Sequence, residues 1–325
     1  MSIDAIRAKI DSLKTDKATR AVMYFLLKNQ NQYQLREVDL TPDTQSEVTL
    51  NTLHDISEFF EGEYALRDLT AADQREGVIY NYNLNEKPVQ LELLEQAYNR
   101  TGQIIGFDHE FDSVSDLKAI ILVLGNGVEK LAIYKFHFPT NIYRRSGFSL
   151  LRAGLAQDRF EKLEQDIIRV SHTVDFLFDG TSTYVTNFKI LEKFFGFKEA
   201  IKAEAADQLN QLAQRDLIEN IADLNHRITT LGDVTFSKKV IRAISHSPVL
   251  QAVSNQQIIQ FVQQHHKLGK KIPVNYTGDK FVLNTKISQN FFMKLLNDDY
   301  LKSELTNFEY DADSKDIFEL EEGEA

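Results

Sequence analysis

The sequence contains no cysteine, which excludes disulfides, thiol nucleophiles and thiolate metal sites. It also lacks a long hydrophobic run, since the longest, Ala119 to Leu124, is far too short to cross a bilayer. The first ten residues mix charged with apolar side chains, which is not typical of a signal peptide. We therefore expect a cytoplasmic protein that reaches a membrane only through a partner.

Glycine-rich phosphate loops, zinc-ligand spacings and nucleophile elbows are absent from the sequence as well. His265 and His266 are adjacent, so they point to different helix faces and do not chelate one metal ion. No cofactor and no metal are expected. One enzymatic alternative stays open, a Mg²⁺-dependent nuclease in which acids before a strand hold the ion and a lysine positions water. Its residues would be Asp108, Asp112, Asp116 and Lys118.

Positive charge is concentrated in residues 234–297, which we call the basic segment. It holds nine basic residues and one acid, Asp279, a net charge of +8, whereas the whole chain carries −11. A basic region in an acidic protein indicates a polyanionic partner, although a solvated basic surface has the same composition. From Asp298 onward the sign inverts, and residues 318–325 form an acidic tail that we expect to be disordered.

Hydrophobic patterning predicts an α+β fold with a mixed, largely antiparallel N-terminal sheet and helices, followed by a helix-rich lobe with a small β-hairpin. The clearest strands are residues 117–124 and 128–138, and Gly125-Asn-Gly127 between them favours a hairpin. We predict domains at residues 1–150 and 151–317.

Within the basic segment, the pattern predicts a helix around Phe236 to Ile244, a loop, a second helix after Ser254, and a hairpin. Ser254 and Gln257 match a capping box, and Gly269 stands where helices end. This order is that of a winged helix-turn-helix, whose second helix enters the major groove. The loop from Ser245 to Val253 is long for that motif and no base-reading arginine stands on the second helix, so a basic α+β lobe of another shape is favoured over it.

Eight of the nine basic residues of this segment, seven lysines and one arginine, are candidate phosphate contacts. They are Lys238, Lys239, Arg242, Lys267, Lys270, Lys271, Lys280 and Lys286. Gln260 and Gln264 are weaker candidates for base edges. Arg144 and Arg145 form a second candidate phosphate contact in a crossing loop, where such a pair is also commonly solvated.

Several motifs in the second half of the chain resemble the KwaB family of the bacterial Kiwa anti-phage defence system. One is Val174-Asp-Phe-Leu-Phe-Asp-Gly180, followed by Tyr184 and Asn187. Another is Ser247-Pro-Val-Leu250. The third lies in residues 291–315 and includes Asp299-Tyr-Leu301, Ser303, Leu305-Thr306, Tyr310 and Lys315. The N-terminal half resembles the family only in the order and length of its elements.

The resemblance implies a DNA-binding protein that blocks phage DNA replication and transcription without a hydrolytic step. It also implies a homodimer or higher homo-oligomer, and recruitment to the inner membrane by KwaA, the small multi-pass membrane subunit of the system. The alternatives are the nuclease described above and a scaffold for the membrane subunit that does not bind DNA.

Overall fold

The computed structural model describes residues 2–71, 77–139, 142–143, 150–152, 160–162, 167–245, 247–265, 267–302 and 309–311. The chain divides into two compact units, residues 1–197 and 198–325. The helices are α1 (Ile3–Thr15), α2 (Pro42–Glu61), α3 (Val89–Asn99), α4 (Phe188–Phe194), α5 (Phe197–Ala213), α6 (Ile221–Thr229), α7 (Val234–Ser245), α8 (Pro248–Ala252), α9 (Asn255–Gln264) and α10 (Lys286–Leu296). The strands are β1 (Arg20–Asn29), β2 (Gln32–Val38), β3 (Ala65–Asp68), β4 (Val78–Asn81), β5 (Ile105–Gly106), β6 (Leu117–Gly125), β7 (Lys130–Phe136), β8 (Ile142–Tyr143), β9 (Leu150–Arg152), β10 (Phe160–Lys162), β11 (Ile167–Ile168), β12 (Phe176–Phe178), β13 (Thr183–Val185), β14 (Tyr300–Lys302) and β15 (Glu309–Asp311).

The first unit is built on a large sheet, which within the described residues has nine strands in the order β3-β4-β13-β12-β7-β6-β1-β2-β5. All neighbours pair antiparallel except β2 with β5 and β3 with β4, which are parallel. The predicted mixed, largely antiparallel sheet is thus confirmed.

Strand β6 lies near the middle of this sheet, between β1 and β7. Its residues are almost all buried, which explains why its sequence is a continuous apolar run rather than an alternating one. The turn to β7 forms as its sequence predicts, because Gly127 takes a positive φ of 90° and Asn126 Oδ1 accepts hydrogen bonds from the N–H groups of Val128 and Glu129.

Helices α1 and α2 cover one face of the sheet with a contiguous apolar core. Ile6, Ile10 and Leu13 of α1 meet Ile56 and Phe60 of α2 there, together with the inward side chains of β1, β6 and β7. Helix α1 begins with a Ser2 side chain that accepts from the N–H of Ala5, and its apolar residues recur every three or four positions.

The sheet extends beyond the boundary predicted near residue 150. Strand β12 pairs with β7, and β13 joins β12 to β4, so residues up to 185 complete the first unit. Sequence reasoning placed these short strands in the second domain because periodicity identifies strands but not their partners. The predicted acidic tail, residues 318–325, lies outside the described residues.

The second unit is rich in helices, from α5 to α10, as the sequence predicts. In its predicted hairpin, Phe281 makes bridges with Val274 and with Ile218. Strands β14 and β15 pair antiparallel. No helix in the described ranges is both long enough and apolar enough to cross a membrane.

Candidate nucleic-acid interface

A buried arginine fixes the helices that carry the basic segment. Arg227 of α6 donates to Asp233 Oδ2 at 2.9 Å and to Gln289 Oε1 of α10 at 3.0 Å. Its guanidinium also lies 3.8 Å from the centroid of the Phe236 ring in α7. These contacts hold α6, the start of α7 and the start of α10 together.

Helix α7 presents part of its positive charge to solvent. Phe236, Val240 and Ile241 are buried, while Lys239 and Arg242, three positions apart, lie exposed on another face. No carboxylate of the described residues pairs with either cation. Lys238, between the two faces, is half-buried and makes contacts of its own.

The loop that follows α9 carries three more lysines of the predicted set. The Lys267 ammonium lies 5.8 Å from the centroid of the Phe291 ring on α10. Lys270 lines a surface cavity of about 450 Å³ with Gln263, His265 and three apolar side chains, Val262, Ile272 and Val274. Lys271 is exposed, and no acid of the described chain pairs with it.

Two of the predicted phosphate contacts have acidic neighbours instead. Lys280 donates to Asp216 at 2.6 Å, and this hydrogen bond raises the pKa of the lysine. Burial tends to raise the pKa of Asp233, but hydrogen bonds from Phe236 N–H and Arg227, and the charges of Arg227 and Lys286, lower it. Lys280 and Lys286 therefore offset negative charge of their own chain, which weakens them as DNA contacts.

The remaining predicted pair, Arg144 and Arg145, lies outside the described residues. Of the predicted set, Lys239 and Arg242 lie on one helix face, Lys270 lines the cavity, and Lys271 is the next residue along the chain.

The helix order of the segment departs from that of a winged helix-turn-helix, the less favoured of the two interpretations of its sequence. The stretch expected to be a loop contains α8, whose Ser247 side chain accepts from Leu250 N–H and donates to Leu296 O of α10. Helix α9 begins at Ser254 with the predicted capping box, and Gln260 and Gln264 are exposed on it. Three helices rather than two thus precede the hairpin, because Pro248 starts a helix after breaking the previous one.

One carboxylate of the nuclease alternative, Asp112, is engaged by an arginine. Both oxygens of Asp112 lie 3.0 Å from Arg36 Nε, and Oδ2 also accepts from the N–H of Asp108. Among the described residues there is no group of three His, Asp or Glu side chains placed to hold a metal ion. Asp112 therefore anchors its loop to β2.

The first family-like motif has a structural role around two buried aspartates. Asp175 accepts from the N–H of Phe136 at 2.6 Å and from the Asn187 amide at 2.7 Å, and burial raises its pKa. Asp175 thereby links the last residue of β7 to the residue that caps the start of α4.

Asp179 organises the turn between β12 and β13. Its Oδ1 accepts from the N–H groups of Thr181 and Ser182, and its Oδ2 accepts from the Tyr184 hydroxyl at 2.9 Å. Burial first, and then Asp179, raises the pKa of Tyr184 to about 12. The motif therefore completes the large sheet of the first unit.

Sequence reasoning missed Tyr276, which stands fully exposed at the tip of the hairpin that follows Lys271. The available signal was an aromatic residue inside the turn sequence Asn275-Tyr-Thr-Gly-Asp279, where polar side chains are usual. It also missed the buried ion pair of Asp55 and Lys135, because nothing local in the sequence marks residues 80 positions apart as partners.

Comparisons with known proteins place these features in a family. The model of the family described as Kiwa protein KwaB-like matches residues 114–306. The Kiwa protein KwaB of Escherichia coli O55:H7 (strain RM12579 / EPEC) is 29% identical over 248 residues, which cover 76% of this chain and 78% of that protein. No solved structure gives a significant match.

Proposed function

The chain belongs to the KwaB-like family of Kiwa proteins, and from that premise we propose that it acts in anti-phage defence by binding phage DNA. Binding rather than catalysis is its proposed mode of action, so that the bound protein obstructs phage DNA replication and transcription. Contacts are made through the basic segment of the second unit.

The observation that supports DNA binding most directly is the set of exposed cations without acidic partners. Lys239 and Arg242 on α7, and Lys271 after α9, carry positive charge that no described carboxylate offsets. Such side chains bind phosphate by releasing counterions from the nucleic acid. The proposal therefore assigns them the main role, with Lys238, Lys267 and Lys270 beside them.

The non-enzymatic mode is supported by the engagement of Asp112 with Arg36, which occupies one carboxylate of the alternative nuclease. Membership of the Kiwa family supports an assembly with other subunits of that system. We propose a homodimer, in the cytoplasm, that is recruited to the inner membrane by the multi-pass subunit KwaA.

The test is a titration of DNA binding against salt with the unmodified protein and charge-reversal variants. Each phosphate contact contributes about −0.9 to the slope of log K against log salt for duplex DNA. We expect Lys239→Glu combined with Arg242→Glu to weaken binding and to reduce the magnitude of that slope by about 2.

A matched control reverses the same amount of charge elsewhere. Lys14 and Lys17 are exposed in the first unit, so Lys14→Glu with Lys17→Glu should leave the salt slope unchanged. A salt-independent affinity, or equal losses in the two double variants, would contradict the proposal. Phage DNA incubated with the protein and Mg²⁺ should stay intact, whereas cleavage would favour the nuclease.

A further inference from the structure

Tyr276 differs from the tyrosines of the sheet in its exposure. Tyr24, Tyr134 and Tyr184 are buried, whereas the relative accessibility of Tyr276 is 106%. A large ring surrounded by water is unfavourable for folding, because apolar surface gains free energy when it leaves water. Nothing in the fold therefore calls for an aromatic residue at this position.

The turn that carries Tyr276 is held by side-chain hydrogen bonds. Asn275 Oδ1 accepts from the N–H groups of Gly278, Asp279 and Lys280 at 3.0, 3.1 and 3.2 Å. The Asp279 carboxylate in turn accepts from the Asn275 amide and the Thr277 hydroxyl. The backbone around Tyr276 is thus fixed before any ligand arrives.

The base of the hairpin is anchored in the second unit. Phe281 is fully buried, and its ring centroid lies 5.5 Å from that of Phe292 in α10. Phe281 also forms bridges to Val274 and Ile218, and the neighbouring Lys280 pairs with Asp216. The exposed ring therefore projects from a rigid support and not from a loose loop.

Cationic and apolar groups lie at the start of the same hairpin. Lys271 immediately precedes it, and Lys270, Ile272 and Val274 line the cavity described above. Tyr276 is five residues beyond Lys271, so their Cα atoms lie at most roughly 18 Å apart. A phosphate at the lysines and a base at the tyrosine therefore fit within about five nucleotides of one DNA strand, at 3.4 Å each.

We propose that Tyr276 is a stacking platform for an unpaired base of DNA whose neighbouring phosphates lie at Lys270 and Lys271. This inference rests on the proposed DNA-binding function and specifies its substrate as DNA with unpaired nucleotides, at ends or at junctions with duplex. Aromatic rings bind bases by stacking, which is tolerant of sequence because every base has a flat face. A paired duplex needs only the cations, since its bases are already stacked on each other.

The first experiment compares Tyr276→Ala and Tyr276→Phe on two probes, a blunt duplex and the same duplex with a single-stranded tail. Removal of one stacked ring costs about 5- to 160-fold in affinity. We therefore expect Tyr276→Ala to lose about that factor on the tailed probe only. Tyr276→Phe should bind both probes as the unmodified protein does. Because the side chain is fully exposed, thermal unfolding should be the same for all three proteins.

The second experiment uses the absence of tryptophan from the chain. Tyr276→Trp introduces a single fluorophore at the hairpin tip, and stacking on a base should quench its emission when the tailed probe is added. The matched control is Phe111→Trp, at an exposed position of the first unit, which should not respond.

The outcomes separate this inference from the function on which it rests. If the unmodified protein binds neither probe, DNA binding itself fails. If it binds both with the expected salt dependence but Tyr276→Ala binds the tailed probe normally, only the stacking role is overturned. Equal losses on both probes would also overturn it, since Tyr276 would then be a general duplex contact.

Discussion

Lys135 of β7 carries a charged side chain in the interior of the first unit, where it is only 2% exposed. Its ammonium donates to Asp55 Oδ2 at 2.6 Å and to the carbonyl of Ser171 at 2.8 Å. The other oxygen of Asp55 lies 2.9 Å from Nδ1 of His172, which is largely exposed. Asp55 of α2 thus links a central strand to the segment before β12, and Lys135 depends on it for a counter-charge.

Loss of this counter-charge should destabilise the first unit strongly. Asp55→Ala removes the carboxylate to which the buried Lys135 ammonium is hydrogen-bonded and leaves only the more distant charge of Asp175, which costs about 3–5 kcal/mol in the free energy of unfolding. Chemical denaturation, monitored by circular dichroism, measures this change in the free energy of unfolding. His172→Ala is the control, since removal of an exposed imidazole should cost below about 1 kcal/mol. Asp55→Leu combined with Lys135→Met should recover much of the loss, and a single Asp55→Ala variant of normal stability would contradict the dependence.

Among the elements, those defined by local chemistry are predictable from the sequence and those defined by distant pairing are not. The β6–β7 hairpin follows from the Gly-Asn-Gly turn, and the start of α9 follows from Ser254 and Gln257. The placement of β12 and β13 beside β7 does not, because a three-residue strand carries too little pattern to select a partner. The same reason limits how much of the candidate site can be predicted. The lysines are visible in the sequence, but the pairing of Lys280 with Asp216 is a tertiary contact that the sequence does not indicate.

The turn between β12 and β13 is closely packed at Gly180, and a substitution there can measure how closely. Gly180 has a φ of +102°, and a Cβ atom there would lie 2.6 Å from the Tyr98 hydroxyl oxygen. Gly127 has a similar φ of +90° with nothing within 4 Å. Both Gly→Ala variants carry the backbone strain of a positive φ, about 1–3 kcal/mol, but only Gly180→Ala adds a steric conflict. We expect its melting temperature to fall further than that of Gly127→Ala, and equal shifts would show that Tyr98 moves without cost.

At the scale of the whole molecule, charge is distributed unevenly along the chain. The basic segment carries +8 in a protein of net charge −11, and the tail from Glu319 onward is acidic. The tail lies outside the described residues, so its sequence alone supports the expectation that it competes with DNA for the lysines. Such competition between exposed charges weakens with salt, since the screening length is about 8 Å at physiological ionic strength.

Deletion of residues 318–325 should therefore tighten DNA binding at low salt, and the gain should disappear as salt is raised. A gel-shift titration across salt concentrations measures the difference. The control replaces the four glutamates of the tail, Glu319, Glu321, Glu322 and Glu324, by glutamine, which removes the charge and keeps the length. Unchanged affinity in both variants would remove the tail from the mechanism.

The strand order of the large sheet has a consequence for how the protein is made. Strand β4 pairs with β13, through Asn81 and Tyr184, and β7 pairs with β12. In both cases the partner strand is synthesised later, so one edge of the earlier strand stays unpaired until then. At the pace of translation, roughly 100 residues take about 5–20 s to emerge. The edge of β4 is unpaired for that time, and the outer edge of β7 for the shorter time that about 40 residues take. Until their partner strands emerge, both edges are templates for association with neighbouring chains. This topology therefore favours shielding of the two edges near the ribosome, by a chaperone or by early subunit contacts.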